Sequence, residues 1–213
     1  MLKMIRVLLL MYSGRAHFFG LVCIWYARGT EDFRLIEKAY NVAEREFQLE
    51  IRDSGRSYFE HLEATAIIIL FLLAALGLRD ASLVAAALLH DIIEDIPGWS
   101  YTRLEREFNR DVAVLVDWVS KEPIEMYGGS KERQLDAYHA KIYLAPRRPR
   151  LLKLCDNLHN MVTLFETQID KQKRKVAESR AYYLPIAEEE QALYGELEQE
   201  IMRNENRLGI VGD

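Results

Sequence analysis

The chain has 213 residues, half of them hydrophobic and 29% charged, with a formal net charge of −5. That fits one globular domain with a large core and a small helical extension, and an acidic balance gives no reason to expect a nucleic-acid partner. Two cysteines far apart, Cys23 and Cys155, make neither a disulfide framework nor a zinc knuckle, so reduced thiols in a cytoplasmic protein are expected.

Met1–Arg6 is basic and is followed by apolar runs at Val7–Met11 and Phe18–Ala27, with Arg15 and His17 between them. A signal peptide has a longer apolar region and a small-residue cleavage site. A span needs about 20 apolar residues without such interruptions. Residues 1–30 are therefore read as an apolar and basic arm, either packed on the core or the product of a start placed too far upstream. No membrane association is expected. From Glu31 onward apolar residues recur at three- and four-residue spacing, and no alternating strand pattern persists. Asp53-Ser54-Gly55 reads as a loop. Ala64–Leu76 is apolar almost throughout, too short to span a bilayer comfortably, and reads as a buried central helix. Gly77 closes it, and Asp80 or Ser82 caps the next helix, whose apolar run Leu83–Leu89 leads directly into His90. Pro97-Gly98 ends that helix. Thr102 is placed to cap a short one, with Glu105 at capping-box distance. Further breaks are expected at Gly128-Gly129-Ser130, at Pro146–Pro149 and at Pro185. The charged stretch Lys171–Asp213 reads as solvated outer helices. The expected organisation is an all-α bundle with a metal site between buried helices: an arm at 1–30, a domain at 31–205 (core about 39–166, helical extension 167–205) and a tail at 206–213.

The chemistry concentrates at His90-Asp91-Ile92-Ile93-Glu94-Asp95. Read as continuous helix, His90 and Glu94 share one face and Asp91 and Asp95 another, about 100° away. A solvated acidic helix end is the plain alternative, and it fits poorly. Negative charge at a helix C-terminus opposes the macrodipole at a cost of up to about 1 kcal/mol. Unpaired charge after an apolar run is also expensive to bury. A divalent cation offsets both. His61, at the start of the long buried helix, and Asp156, after the apolar Leu151–Cys155 segment, complete a His/His/Asp/Asp set. Mixed imidazole and carboxylate ligation suits manganese, magnesium or iron with open water positions. Zinc is an alternative, though a closed tetrahedral site leaves no room for a nucleophilic water.

Four motifs in order carry a family resemblance. They are Arg52-x-x-Gly55-x-x-Tyr58-x-x-His61, then Ala86–Asp95, then Leu115-Val116-Asp117-Trp118-Val119-Ser120-Lys121, then Lys153-Leu154-Cys155-Asp156-Asn157-Leu158-His159-Asn160-Met161-Val162-Thr163-Leu164. From about Ala39 to Leu164 the chain resembles the HD-type hydrolase domain of the RelA/SpoT alarmone enzymes. That resemblance implies manganese at His61, His90, Asp91 and Asp156, and a role for Glu94 and Asp95 in activating or positioning the attacking water. It implies removal of the 3′-pyrophosphate of guanosine tetra- or pentaphosphate. It also implies that Asn160 and Thr163 contact the nucleotide; without it, they read as a helix-surface and a packing residue. The chain ends too soon for the synthetase domain of the bipartite members and looks like a stand-alone hydrolase. Glu94 is suited to take the water's proton and Asp95 to orient that water or support a ligand. Arg52 is suited to stack on the purine or pair with phosphate. His159 could reach the Asp156 face but is left outside the ligand set, and His139 reads as surface or structural.

Three departures from the family pattern fall around the expected substrate. Asp53 stands where the family has lysine, Asn157 where it has a basic residue, and Phe47-Gln48-Leu49-Glu50 where it has a His-x-Gly-Gln-like element. The hydrolytic set is thus better supported than guanosine specificity. Lys121, Arg56 and the Arg147-Arg148-Arg150 cluster are candidates to restore positive charge, although those three arginines read more naturally as a solvated turn. The rivals are hydrolysis of another phosphorylated nucleotide by the same chemistry, and a non-catalytic nucleotide sensor. The only expected partner is a small-molecule nucleotide.

Overall fold

The structure is a computed structural model and describes residues 14–53 and 55–210. The basic start Met1–Arg6 and the run Val7–Met11 lie outside the described residues. Twelve α-helices, read in chain order, and no named strand make up the described chain.

Helix α1 (Arg15–Trp25) is part of the fold from its first turn. It buries Phe18, Phe19 and Val22. Phe18 packs on Tyr40 at 5.0 Å between ring centroids. The Gly14 N–H donates to the buried Glu63 carboxylate at 3.0 Å, which satisfies one of the donors a helix start leaves open. The described part of the arm, from Gly14 onward, therefore packs on the same core.

Helix α2 (Glu31–Glu46) is capped by Thr30, whose hydroxyl accepts from Phe33 N–H at 3.2 Å. It has acidic residues in its first turn and Arg45 in its last, as the helix dipole favours. Its buried stripe runs Phe33, Ile36, Ala39, Tyr40, Ala43. Helix α3 (Tyr58–Ala75) and helix α4 (Ala81–Leu89) are apolar on nearly every face because both lie inside the bundle. Helix α4 packs against α2 and α3. Asp80, rather than Ser82, caps α4 by accepting from Leu83 N–H at 2.9 Å. Among the described residues α3 is the one helix long and apolar enough to cross a bilayer, and it forms the middle of the core.

The helix expected to run through 90–95 is interrupted. Helix α4 stops at Leu89 with His90 as its C-cap; Asp91 turns at φ −100° and ψ 1°, and a separate single turn, α5 (Ile92–Asp95), follows. Helix α6 (Tyr101–Glu107) is capped by Ser100, not Thr102: the serine hydroxyl accepts from Arg103 N–H at 3.3 Å. Helix α7 (Arg110–Val119) packs on α4, and helix α8 (Lys131–Leu144) begins at the expected Gly128-Gly129-Ser130 break.

Helix α9 (Arg147–Thr163) starts inside the proline-marked segment. Pro146 is its N-cap, and Pro149 sits in the first turn, where a missing N–H costs nothing. The arginines there are ion-paired and do not form a solvated turn. Arg148 bridges Asp80 and Asp111, each at 2.7 Å, and Arg150 pairs with Glu190 at 2.9 Å. Helices α10 (Ile169–Glu178), α11 (Leu184–Glu190) and α12 (Tyr194–Leu208) follow. They pack against α9 or one another, burying Val176, Tyr183, Ile186, Leu197 and Ile201. They are a wall of the core rather than a solvated exterior, and α12 runs past the expected boundary at 205. Pro185 does not interrupt them. Its ring removes an N–H and crowds the preceding turn, which widens into a π-helical segment (Ser179–Tyr183), with Leu184 N–H donating to Ser179 O. The break comes later, at Gln191 and Leu193, both with positive φ.

Candidate metal centre and adjoining cleft

Two helix ends and the middle of a third helix meet at one polar point in this core. The first turn of α3 supplies Tyr58 and His61, the end of α4 supplies His90 and Asp91, and the middle of α9 supplies Asp156. His61, His90 and Asp156 are at most 3% exposed. One ligand atom from each lies within 4.8 Å of the others. His61 Nε2 is 3.1 Å from Asp156 Oδ1, and His90 Nε2 is 3.1 Å from Asp91 Oδ2 and 3.7 Å from Asp156 Oδ1. Asp91 is the outermost of the four, its Oδ2 3.9 Å from His61 Nε2. The structure thus brings all four expected ligands together.

The orientation of these groups tests whether they suit a cation. His90 Nδ1 lies 2.8 Å from the Ala87 carbonyl. A carbonyl only accepts, so Nδ1 carries the proton and Nε2 is turned inward. That buried Nε2 faces the Asp91 and Asp156 carboxylates. Both carboxylates are braced from behind. Tyr58 O–H donates to Asp91 Oδ2 at 2.7 Å, while Lys153 Nζ and Asn160 Nδ2 donate to the two oxygens of Asp156, each at 2.6 Å. Buried imidazole nitrogens turned toward carboxylates that are themselves hydrogen-bonded suit a divalent ion with nitrogen and oxygen ligands.

The protonation states show the same demand for positive charge. Burial pulls the His90 imidazole down, but Asp91 and Asp156 outweigh it and lift it to about 10. Burial and the Arg52 charge push His61 down to about 4. Burial works to raise Asp156, but Lys153 and the two imidazoles hold it well below the usual carboxylate range. In the metal-free chain a proton on His90 occupies the position a cation would take.

Glu94 and Asp95 diverge on leaving α5. Glu94 is engaged by Lys121, through its backbone N–H at 2.8 Å and its Nζ at 2.9 Å. Desolvation and the neighbouring Asp91 and Glu94 carboxylates push Asp95 up to about 6.

A cleft of about 350 Å³ adjoins the cluster, and its walls include Tyr58 and Asn160, which also brace Asp91 and Asp156. The expected nucleotide-facing residues meet there. Arg52 donates to Asn160 Oδ1 at 2.6 Å and to Thr163 Oγ1 at 3.3 Å. Arg52 is carried by a tight turn closed by Gly55 N–H to Arg52 O at 2.8 Å. Gly55 adopts φ +80° there, a conformation that favours glycine. Asp53 lines the same cleft and is ion-paired with Lys171 of α10. Arg56 pairs with Glu166 at 3.1 Å.

Two of the departures from the family pattern are absorbed by packing. Asn157 is buried and accepts from Ser179 Oγ of the π turn at 2.6 Å, away from the cleft. Phe47 stacks on Tyr58, centroids 5.2 Å apart and planes 19° apart. Sequence reasoning assigned no role to Tyr58 or Lys153, whose spacing from His61 and Asp156 (three residues each) was the available signal. It also set His159 aside, although His159 Nδ1 lies 2.6 Å from His61 Nδ1. His139 is structural: it stacks on Tyr182 at 3.8 Å and pairs with Glu178 at 3.1 Å.

An all-helical domain with imidazoles and carboxylates converging between buried helices defines a class of divalent-metal sites. The family model described as HD domain matches residues 39–191, and the chain belongs to that family. The "GTP pyrophosphokinase" of Streptomyces coelicolor is 37% identical over 160 residues, which is 74% of this chain and 18% of that protein. The bifunctional (p)ppGpp synthase/hydrolase SpoT of Escherichia coli K12 is 36% identical over 159 residues, 74% of this chain and 22% of that one. The chain thus spans about a fifth of the length of these relatives. A solved structure described as a metazoan orthologue of SpoT that hydrolyses ppGpp shares the fold. Its TM-score is 0.67 at 18% identity, covering 87% of this chain and all of that one.

Proposed function

We propose that the chain is a metal-dependent phosphohydrolase that releases pyrophosphate from the 3′ position of guanosine tetra- or pentaphosphate, leaving GDP or GTP. The observation that carries this reading is the shared wall. Asn160 donates to Asp156 in the metal cluster and accepts from Arg52 in the cleft, so a nucleotide held by Arg52 has its phosphates beside the cluster. The names of the relatives that match 74% of the chain support the same substrate.

His61, His90, Asp91 and Asp156 would hold the ion, with manganese the first choice and magnesium, iron and zinc the alternatives. A divalent ion in such a site supplies Lewis acidity toward a phosphoryl group and a lowered pKa for water. The chain's own residues do the rest. Arg52 and Thr163 orient the nucleotide. Lys121, which lines the cleft, offers positive charge to the phosphates. Because Glu94 is committed to Lys121, Asp95 is the carboxylate better placed to accept a proton from the attacking water, and Glu94 fixes Lys121.

The Asp53 carboxylate on the cleft wall is the one feature that favours a different phosphorylated nucleotide. The test is to incubate the purified protein with manganese chloride and a panel of 3′-phosphorylated nucleotides, beside an Asp91→Ala variant. Pyrophosphate release from the guanosine tetraphosphate by the unmodified chain alone is expected. Turnover confined to another nucleotide would overturn the guanosine assignment, and binding without turnover would make the protein a sensor.

A further inference from the structure

Helix α9 brings one more polar side chain to the cluster, and neither the ligand set nor the cleft uses it. His159 is 5% exposed, one turn beyond Asp156, with its backbone carbonyl accepting from Thr163 Oγ1 at 3.0 Å. Its Nδ1 lies 2.6 Å from Nδ1 of His61, with ring centroids 4.9 Å apart and planes tilted by 31°. Two ring nitrogens at that separation share one proton. One must donate and the other accept, because two protons or none would set like groups against each other.

The far side of His61 decides which. Its Nε2 faces Asp156 Oδ1 at 3.1 Å. A carboxylate only accepts, so in the metal-free chain Nε2 carries the proton; to hold an ion His61 must instead offer a lone pair at Nε2, and a neutral imidazole that does so carries its proton on Nδ1. That proton needs an acceptor. His90 uses the Ala87 carbonyl; the group in the equivalent place beside His61 is the Nδ1 of His159. We infer that His159 is a positioning residue, accepting the Nδ1 proton of His61 and so fixing the tautomer and ring angle that turn Nε2 into the cluster. The inference rests on the reading of His61 as a metal ligand.

An imidazole does here what a carbonyl cannot. With the tautomers exchanged, His159 Nδ1–H donates to His61 Nδ1, and His61 Nε2–H donates to Asp156. Between the two states His61 moves a proton from Nε2 to Nδ1 and His159 moves one from Nδ1 to Nε2, so the pair gains and loses none. His61 is thus hydrogen-bonded both with a proton facing Asp156 and with a lone pair there. His159 stays neutral in both states, in keeping with burial and the neighbouring His61 and Arg52 charges, which hold it well below the usual histidine range.

The test compares three substitutions by calorimetric titration with manganese chloride, with thermal melts in EDTA to confirm that each variant folds. His159→Leu removes the acceptor and is expected to weaken manganese binding about 10- to 100-fold. His159→Asn places a carbonyl oxygen near the position of Nδ1 and is expected to retain affinity close to wild type. His159→Gln is equally polar but carries its oxygen one methylene too far, and is expected to fall with the leucine variant. Wild-type affinity in His159→Leu, or an asparagine variant as weak as the leucine one, would overturn the inference. If the unmodified chain binds no manganese, magnesium, iron or zinc, all variants read alike. The metal-site reading itself then falls, and the role of His159 with it.

Discussion

Replacing Tyr58 by phenylalanine removes one hydroxyl and leaves the ring that stacks on Phe47. The hydroxyl donates to Asp91 Oδ2 at 2.7 Å. Burial and the Asp91 and Asp95 carboxylates raise the tyrosine well above its usual range, so it remains a donor throughout the working pH range. A hydrogen bond to a charged acceptor contributes about 1.5–3 kcal/mol, and Asp91 keeps His90 as a second neighbour, so about 2 kcal/mol is the reasonable loss. For a chain of this size about 2–4 °C is lost per kcal/mol, which puts the fall in Tm of the EDTA-treated protein at about 4–8 °C. Losing a brace behind a ligand weakens metal binding about 10- to 100-fold. Melts in EDTA and calorimetric titration with manganese chloride measure the two effects separately. A Tyr58→Phe protein with unchanged Tm and unchanged affinity would refute the account of Asp91 as a braced ligand.

The other predictions concern protons and charge. In the metal-free chain His90 is lifted to about 10 from an ordinary value of 6.5, so its charged form stabilises the fold; that contribution is complete below about 6.5 and lost as pH rises toward 10. Denaturant melts in EDTA across that window should show the decline, while manganese affinity should rise over the same window, because binding displaces the His90 proton. Asp95→Asn should lower kcat by about 10²–10⁴ with little change in manganese affinity, and the wild-type rate should fall as pH drops through about 6, where Asp95 gains its proton. A larger kcat loss in Glu94→Gln than in Asp95→Asn would reverse the roles assigned to the two carboxylates. Asp53→Lys removes an exposed ion pair that contributes about 1 kcal/mol at most, so Tm should move by only a few degrees while KM for the guanosine tetraphosphate falls; an unchanged KM would remove Asp53 from the list of specificity determinants.

The parts of the fold that could be read in the chain were those set by local pattern. The apolar runs Ala64–Leu76 and Leu83–Leu89 mark buried helices because no polar face interrupts them, and Asp80 caps where an aspartate before such a run is expected to. The interruption at His90-Asp91 was not readable, because its cause is tertiary: one imidazole and one carboxylate must turn toward α3 and α9 at the same point. The C-terminal helices look solvated by composition, yet they bury Val176, Tyr183 and Ile201 through stripes too narrow to outweigh their charge in a simple reading. The expected metal ligands stood out because a polar residue after an apolar run is conspicuous. Tyr58, Lys153 and His159 did not, because a bracing group shows its purpose only through its partner.

The departures around the expected substrate carry unequal weight once their surroundings are known. A basic residue is missing at Asn157, but that position faces Ser179 inside the core, where an unpaired cation would be costly to bury. Phe47 replaces a polar element by stacking on the tyrosine that holds Asp91, so the change acts on the cluster through packing rather than through lost contact with a ligand. Only Asp53 lies on the cleft wall, and its charge is met by Lys171 from the opposite helix. The consequence is local. An anionic substrate that draws Lys171 away leaves Asp53 facing its phosphates, which costs affinity, whereas a substrate that presents a hydrogen-bond donor near Asp53 gains a contact. Of the three departures, Asp53 is thus the one placed to influence which substrate the proposed site accepts.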